Sequence, residues 1–318
     1  MQAPNVLMTV SRLDSIQDMT ADPKPVAGET PTPLKASVIA AFYNDLEILK
    51  LLVQALQEQA DGSFELIIAD DGSRPDVVHA IDQMKSQFAY PIRHLWHEDR
   101  GFLKTVILNE AVHAARGQTL IFVDADCVVQ SGFVQDHLLQ ARPGIMQTGR
   151  RVDVHHEACR TLDCSTASEI VRSNFLTLCW WTLRSKARNL EKGIRLPKWL
   201  RKWARGRSWG VLGCNFSVDR EDLLAVNGFD ERHGVQWGAE DSDVERRLKR
   251  IGVQVRSLRH MATMIHFDGQ YYRRGPSEDA RQRWQLYLQA EKEDRTWTPH
   301  GIIKQDRPDH SVSRSYSN

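Results

Sequence analysis

Two short apolar runs in this chain stop abruptly in acids: Phe64 to Ala69 runs into Asp70-Asp71-Gly72-Ser73, and Leu120 to Val123 runs into Asp124-Ala125-Asp126. A short apolar run bounded by turn residues reads as a buried strand. Core packing asks for no carboxylate at its end. Alternate residues of an extended chain share a side, so Asp124 and Asp126 lie together and Ala125 faces away. Such a pair suits a hard divalent cation that also holds phosphate oxygens. A strand leading into an Asx-type turn is the plainer reading.

The segments around these runs alternate in kind. Ser37 to Ala41 reads as a short buried strand, and Asp45 can cap a helix with apolar positions Ile48, Leu49, Leu52, Val53 and Leu56. A helix over 77–88, a strand at Ile92 to Trp96, a glycine-containing turn through Asp99 and a helix over 103–115 follow. This alternation predicts an α/β fold with a mainly parallel sheet flanked by helices, and ligands beyond the carboxyl ends of its strands. The second half reads as a strand over 146–154, a helix over 158–183, a strand over 213–218, a helix over 220–226, a turn at 227–230 and a charged helix over 241–250. A last helix is expected near 278–292. Residues 1–34, with Pro23, Pro25, Pro31 and Pro33, read as a mobile leader; 35–275 as the folded domain; 276–318 as a C-terminal helix and polar tail.

Composition narrows the setting. Hydrophobic residues at 41% and charged residues at 26% are ordinary for a globular chain. The five cysteines form no C-x-x-C pair, which favours reduced thiols in a cytoplasmic protein. No run reaches the ~18 apolar residues of a membrane span, so membrane contact is expected to be peripheral, on the inner face. The first strand leads into Ala41-Phe42-Tyr43-Asn44-Asp45, with no G-x-G-x-x-G, and there is no P-loop. Rossmann oxidoreductases and P-loop NTPases are thereby set aside.

The carboxylates remain. Asp70, Asp71 and Asp99 could accept hydrogen bonds from a base or a ribose, and Asp124 and Asp126 could hold Mg²⁺ or Mn²⁺ against a diphosphate. Trp237-Gly238-Ala239-Glu240-Asp241-Ser242-Asp243 sets acids at the start of a helix. Capping and the macrodipole explain acids there, though not Trp237 beside them.

Taken in order, the strand with Phe42-Tyr43-Asn44, the Asp70-Asp71-Gly72-Ser73 quartet, the Asp124-x-Asp126 pair and the late Glu240-Asp241 pair make the chain resemble the family 2 glycosyltransferases over roughly 35–268. The segment Gly228-Phe229-Asp230-Glu231 to Asp243 is similar to the C-terminal half of galactosyltransferase, N-acetylgalactosaminyltransferase and bacterial chondroitin-type polymerase domains. The resemblance implies a GT-A fold and a metal-dependent, inverting transfer from a nucleotide sugar, UDP-linked, to a glycan or lipid-linked acceptor of a surface polysaccharide or lipopolysaccharide. It implies Asp241 as base, with Glu240 positioning donor or acceptor. Asp126, Asp124 and His266 would hold the metal. Phe42, Asn44, Asp70, Asp71, Asp99, Asp124, Asn215 and Trp237 would bind the donor. Lys104 would approach the phosphates or lie on a solvated helix face, His266 could be purely structural, and Asn215 a buried, backbone-bonded residue.

One stretch stands apart. From Trp180 to Trp209 there are ten Lys or Arg against the single acid Glu191, and five of the nine tryptophans. That is +9 within a chain of +1. Basic residues interleaved with indoles suit an anionic membrane surface; a solvated basic helix with Trp on the core is the alternative. Nucleic acid is disfavoured, because the rest of the chain sums to −8 and no nucleic-acid motif occurs. Two rival functions share the fold-level pattern: a non-catalytic nucleotide-sugar or membrane-surface binding module, and a nucleotidyltransferase. The second would need a glycine-rich basic loop after the first strand.

Overall fold

The computed structural model describes residues 34–197, 199–200, 210–233, 239–268 and 278–304. The first half alternates as β1 (Ala36–Phe42), α1 (Leu46–Gln57), β2 (Phe64–Asp70), α2 (Pro75–Lys85), β3 (Ile92–Trp96), α3 (Lys104–Ala114) and β4 (Thr119–Asp124). Then come β5 (Cys127–Val129), α4 (Phe133–Leu138), β6 (Ile145–Thr148), β7 (Arg150–His155), α5 (Ile170–Ser173), α6 (Phe175–Leu183) and β8 (Ala187–Arg188). The remainder is β9 (Asn215–Asp219), α7 (Arg220–Ala225), α8 (Glu240–Arg250), β10 (Gln254–Ser257), β11 (Thr263–Asp268) and α9 (Glu278–Lys292). Asp45 caps α1 by accepting from the Ile48 amide at 3.2 Å.

Among these residues a seven-stranded sheet runs β10-β6-β9-β4-β1-β2-β3, with β9 antiparallel to β4 and β6 and the other pairs parallel. Alternation sorts its side chains by face. Val38, Ala40, Leu66, Ile68, Ile121 and Val123 pack into one layer, and Ile39, Ile67, Ala69, Leu120 and Phe122 into the other. That two-sided burial is why β2 is buried at every position. In register, Phe42 faces Asp70, Asp70 faces Trp96 and Ala41 faces Asp124, so the acid-bearing strand ends share one edge.

A second sheet, β5-β11-β7-β8, stands beside the first. The expected strand over 146–154 is really two strands, one in each sheet. The chain changes sheet at Gly149, where a Cβ would sit 2.3 Å from the Asn215 amide group and 2.4 Å from the Ala262 carbonyl oxygen. The expected helix over 158–183 is also broken. Asn174 interrupts it, its amide donating to the carbonyls of Ile170 at 2.9 Å and Asp163 at 2.8 Å, so that α5 and α6 are separate helices. The mobile-leader expectation, 1–33 in all but its last residue, lies outside the described residues, as do 201–209 of the basic stretch.

Candidate active site

A cleft at the acid-bearing strand ends is lined by Lys104, Asp124, Gly213, Glu240 and Asp241, with Phe122, Phe216 and Phe229 beneath. Lys104, first residue of α3, is not on a solvated face. Its ammonium donates to Asp124 at 2.7 Å and lies 4.0 Å from Glu240. Burial opposes its charge, but Asp124, Glu240 and Asp126 outweigh burial and hold its pKa above the ordinary value. One Glu240 oxygen, Oε2, is buried without a hydrogen-bond partner among the described residues. Burial lifts the Glu240 pKa to about 7, against the pull of Lys104 and with help from Asp241. Asp241 is also raised by burial, but the amides of Ser242 at 2.7 Å and Gly213 at 3.0 Å donate to its two oxygens and restrain the rise.

The three acids that open α8 therefore divide. Glu240 and Asp241 face the cleft, whereas Asp243 is buried and pairs with Arg246 at 2.6 Å and Arg247 at 2.7 Å. Arg247, itself buried, donates onward to the carbonyls of Val226 and Gly228. That network is what holds the start of α8 beneath the 227–230 turn.

Asp126 belongs to a different cluster from Asp124. Its Oδ2 lies 3.2 Å from Nε2 of His266, and Nδ1 of His266 lies 3.1 Å from Asp153. Asp153 also accepts from Asn189 at 2.7 Å and pairs with Arg151 at 2.7 Å. Asp126, Cys127 and His266 bring one potential ligand atom each within 4.8 Å of one another. Burial works against charge on His266, but Asp126 and Asp153 together raise its pKa to about 10. Carboxylate oxygen and imidazole nitrogen are a donor set that a divalent cation accepts, and an Asp153 acceptor on Nδ1 leaves Nε2 to the ion. The residues fit a metal. Asp124 pairs with Lys104 at 2.7 Å, whereas Asp126 faces His266 at 3.2 Å, so the two acids at the end of β4 have different partners here.

The other expected donor-binding residues have partners within the chain. Asp70 is fully buried and accepts from the Ser73 amide at 2.8 Å and His94 at 2.9 Å, so it builds the loop. Asn215 is fully buried, its amide donating to the carbonyls of Ala262 at 3.0 Å and Arg150 at 3.2 Å and its oxygen 3.2 Å from His137. Phe42 packs its ring into the core, with its carbonyl accepting from the Asp71 amide at 2.9 Å. Asn44, at φ 60°, accepts from the Arg74 amide through its side-chain oxygen at 3.0 Å.

Asp71 and Asp99 remain at one place. Asp71 accepts from the Leu103 amide at 2.9 Å and from His97 at 2.8 Å. Asp99, near the surface, takes a hydrogen bond from the Tyr43 hydroxyl at 3.2 Å. Gly72, at φ +90°, lets the two loops touch, since a Cβ there would be 2.6 Å from Asp99 Cα. Trp237 lies outside the described residues. Sequence reasoning missed His94, His97, Arg151, Asp153 and Asn189. The two histidines carried a weak signal, as polar residues in and just after a strand; Asp153 carried none.

Residues 37–144 match the family model described as glycosyl transferase family 2, and 200–269 the model described as N-terminal domain of galactosyltransferase. An uncharacterized glycosyltransferase, YfnE, of Bacillus subtilis (strain 168) is 33% identical over 106 residues, 33% of this chain and 26% of the relative. Chondroitin synthase of Escherichia coli is 22% identical over 233 residues, 70% and 33%. The chain thus spans about a quarter to a third of the length of these curated relatives. The crystal structure of GalNAc-T7 with UDP, GalNAc and Mn²⁺ aligns at TM-score 0.55 with 13% identity, over 82% of this chain and 48% of that one. S. aureus TarS 1-349 in complex with UDP-GlcNAc aligns at 0.52 with 15% identity, over 80% and 65%. Fold and strand-end site define the class: a GT-A glycosyltransferase fold. Within that fold, residues 37–144 are similar to the family 2 glycosyltransferases.

Proposed function

We propose that the chain transfers a sugar, with inversion, from a UDP-sugar to a hydroxyl of a glycan or glycolipid acceptor in surface-polysaccharide or lipopolysaccharide synthesis. The observation that carries this is Lys104 held between Asp124 of β4 and Glu240 of α8, with Asp241 beside them. It brings a strand-end acid and a helix-start pair to one cleft. Asp71, Asp99 and Tyr43 would hold the uridine, a reading supported by the Tyr43–Asp99 hydrogen bond beside the Asp71 loop. Lys104 supplies positive charge toward the diphosphate, and Asp124 orients it.

Asp241 takes the proton of the acceptor hydroxyl as its oxygen bonds to the anomeric carbon; the bond from that carbon to the diphosphate oxygen breaks, and UDP departs with the electron pair. Attack from the face opposite the leaving group inverts the centre. Glu240, half-protonated near neutrality, hydrogen-bonds donor or acceptor hydroxyls. Asp126 and His266 would hold a divalent cation, Mn²⁺ or Mg²⁺, whose chemistry there is neutralisation of charge on the leaving diphosphate.

The reading is tested by turnover of a panel of UDP-sugars with Mn²⁺ and with EDTA. Hydrolysis or transfer that disappears with EDTA is expected. Absence of binding and turnover with metal present would sink it.

A further inference from the structure

Helix α6 reads Phe175-Leu-Thr-Leu-Cys-Trp-Trp-Thr-Leu183, carries no charge, and yet buries only Leu178. Leu176, Trp180 and Leu183 are 83%, 54% and 81% exposed. Spaced i, i+4 and i+7, they share one helix face. Single exposed apolar residues need no explanation, but an aligned set with exposed Phe175 alongside marks an interaction surface.

The frame around that face is basic. Between Glu169 and Leu200 the chain has seven Lys or Arg against two acids, one of them Glu169, 3.8 Å from Arg172. The Arg172 side chain, one turn before Leu176, is 87% exposed, and the Arg184 guanidinium lies 4.3 Å over the Trp180 ring. Leucines to bury, an indole at headgroup depth and arginines beside it complement an anionic phospholipid surface. The helix is also tied to the site. Beyond it, β8 pairs with β7, and Asn189 donates to Asp153, the partner of His266.

We propose that α6 is an interfacial anchor: Leu176, Trp180 and Leu183 enter the boundary between headgroups and acyl chains of an anionic bilayer, with Arg172 and Arg184 against lipid phosphates. The anchor goes beyond the transferase reading, and it favours acceptors borne on the same membrane.

The test is cosedimentation of the full chain with phosphatidylcholine vesicles, with and without phosphatidylglycerol. Binding is expected with the anionic lipid and should weaken at least about tenfold in a Leu176→Ser, Trp180→Ser, Leu183→Ser variant, which loses three apolar groups from the lipid-facing side. Far-ultraviolet circular dichroism should not change, because none of the three is in the core. A second variant, Arg172→Gln with Arg184→Gln, keeps the apolar face and should also bind the anionic vesicles more weakly. The anchor is refuted if the chain ignores anionic vesicles, if either variant binds like the original, or if the face instead mediates a dimer without lipid. Vesicle binding needs no sugar nucleotide, so a negative result here leaves the transferase reading standing, and absence of turnover leaves the anchor standing.

Discussion

Asp153 accepts from Nδ1 of His266 at 3.1 Å, while Nε2 of the same ring faces Asp126 at 3.2 Å. By accepting from Nδ1, Asp153 would leave Nε2 as the nitrogen able to give up its proton to a cation. Asp153→Asn can no longer impose that choice as a charge. Affinity for Mn²⁺, measured by isothermal titration, should fall about 10- to 100-fold, the usual effect of losing such an outer partner. Unchanged affinity would show that Asp153 does not support metal binding through His266.

Asp241→Asn keeps the shape of the cleft, and its amide oxygen can still accept from Gly213. Donor binding should survive, while transfer should drop at least ~100-fold, the low end for loss of a general base. Near-normal transfer would hand the proton to Glu240, whose pKa of about 7 makes it the next candidate.

His137 is buried between Ser217 at 2.9 Å and Asn215 at 3.2 Å, and burial pushes its pKa down from 6.5 to about 3. The unfolded chain takes up a proton near 6.5 that the folded one refuses. The stabilisation is therefore present above that pH and lost as pH falls toward about 3, at about 1.4 kcal/mol per unit from this group. Urea unfolding across that window should show a shallower pH slope for His137→Gln than for the original chain. Equal slopes would mean the ring is not held neutral.

Gly149→Ala would drive a Cβ into Asn215 and the Ala262 carbonyl at the crossing between sheets. Destabilisation of about 1–3 kcal/mol is expected, as for overpacking elsewhere, read as a lower urea midpoint at constant slope. A neutral result would show that the crossing relaxes.

Much of the fold was legible because it is written locally. The apolar runs of β1, β2 and β4, the Asp45 cap and the 3.6-residue pattern of α1 each need only neighbours in sequence. So did the strand-end placement of Asp71, Asp99 and Asp126. What could not be read locally was what depends on distant partners: Asp70 meets His94, and Asn215 meets the carbonyls of Arg150 and Ala262, the buried, backbone-bonded alternative offered for it. The break at Gly149 was hidden for the same reason, since the obstacle comes from residues 215 and 262.

The acid-tipped strand ends were determined by sequence alone, because strand, turn and alternation are short-range properties. Which acid meets which partner was decided by the tertiary structure. The order β9-β4-β1 and the second sheet set Lys104 against Asp124 and Glu240, and His266 against Asp126 and Asp153, across separations of 20 to 140 residues. A charge acquires its pKa and its role from the burial and the opposite charges it meets, and those are fixed only when the chain has folded.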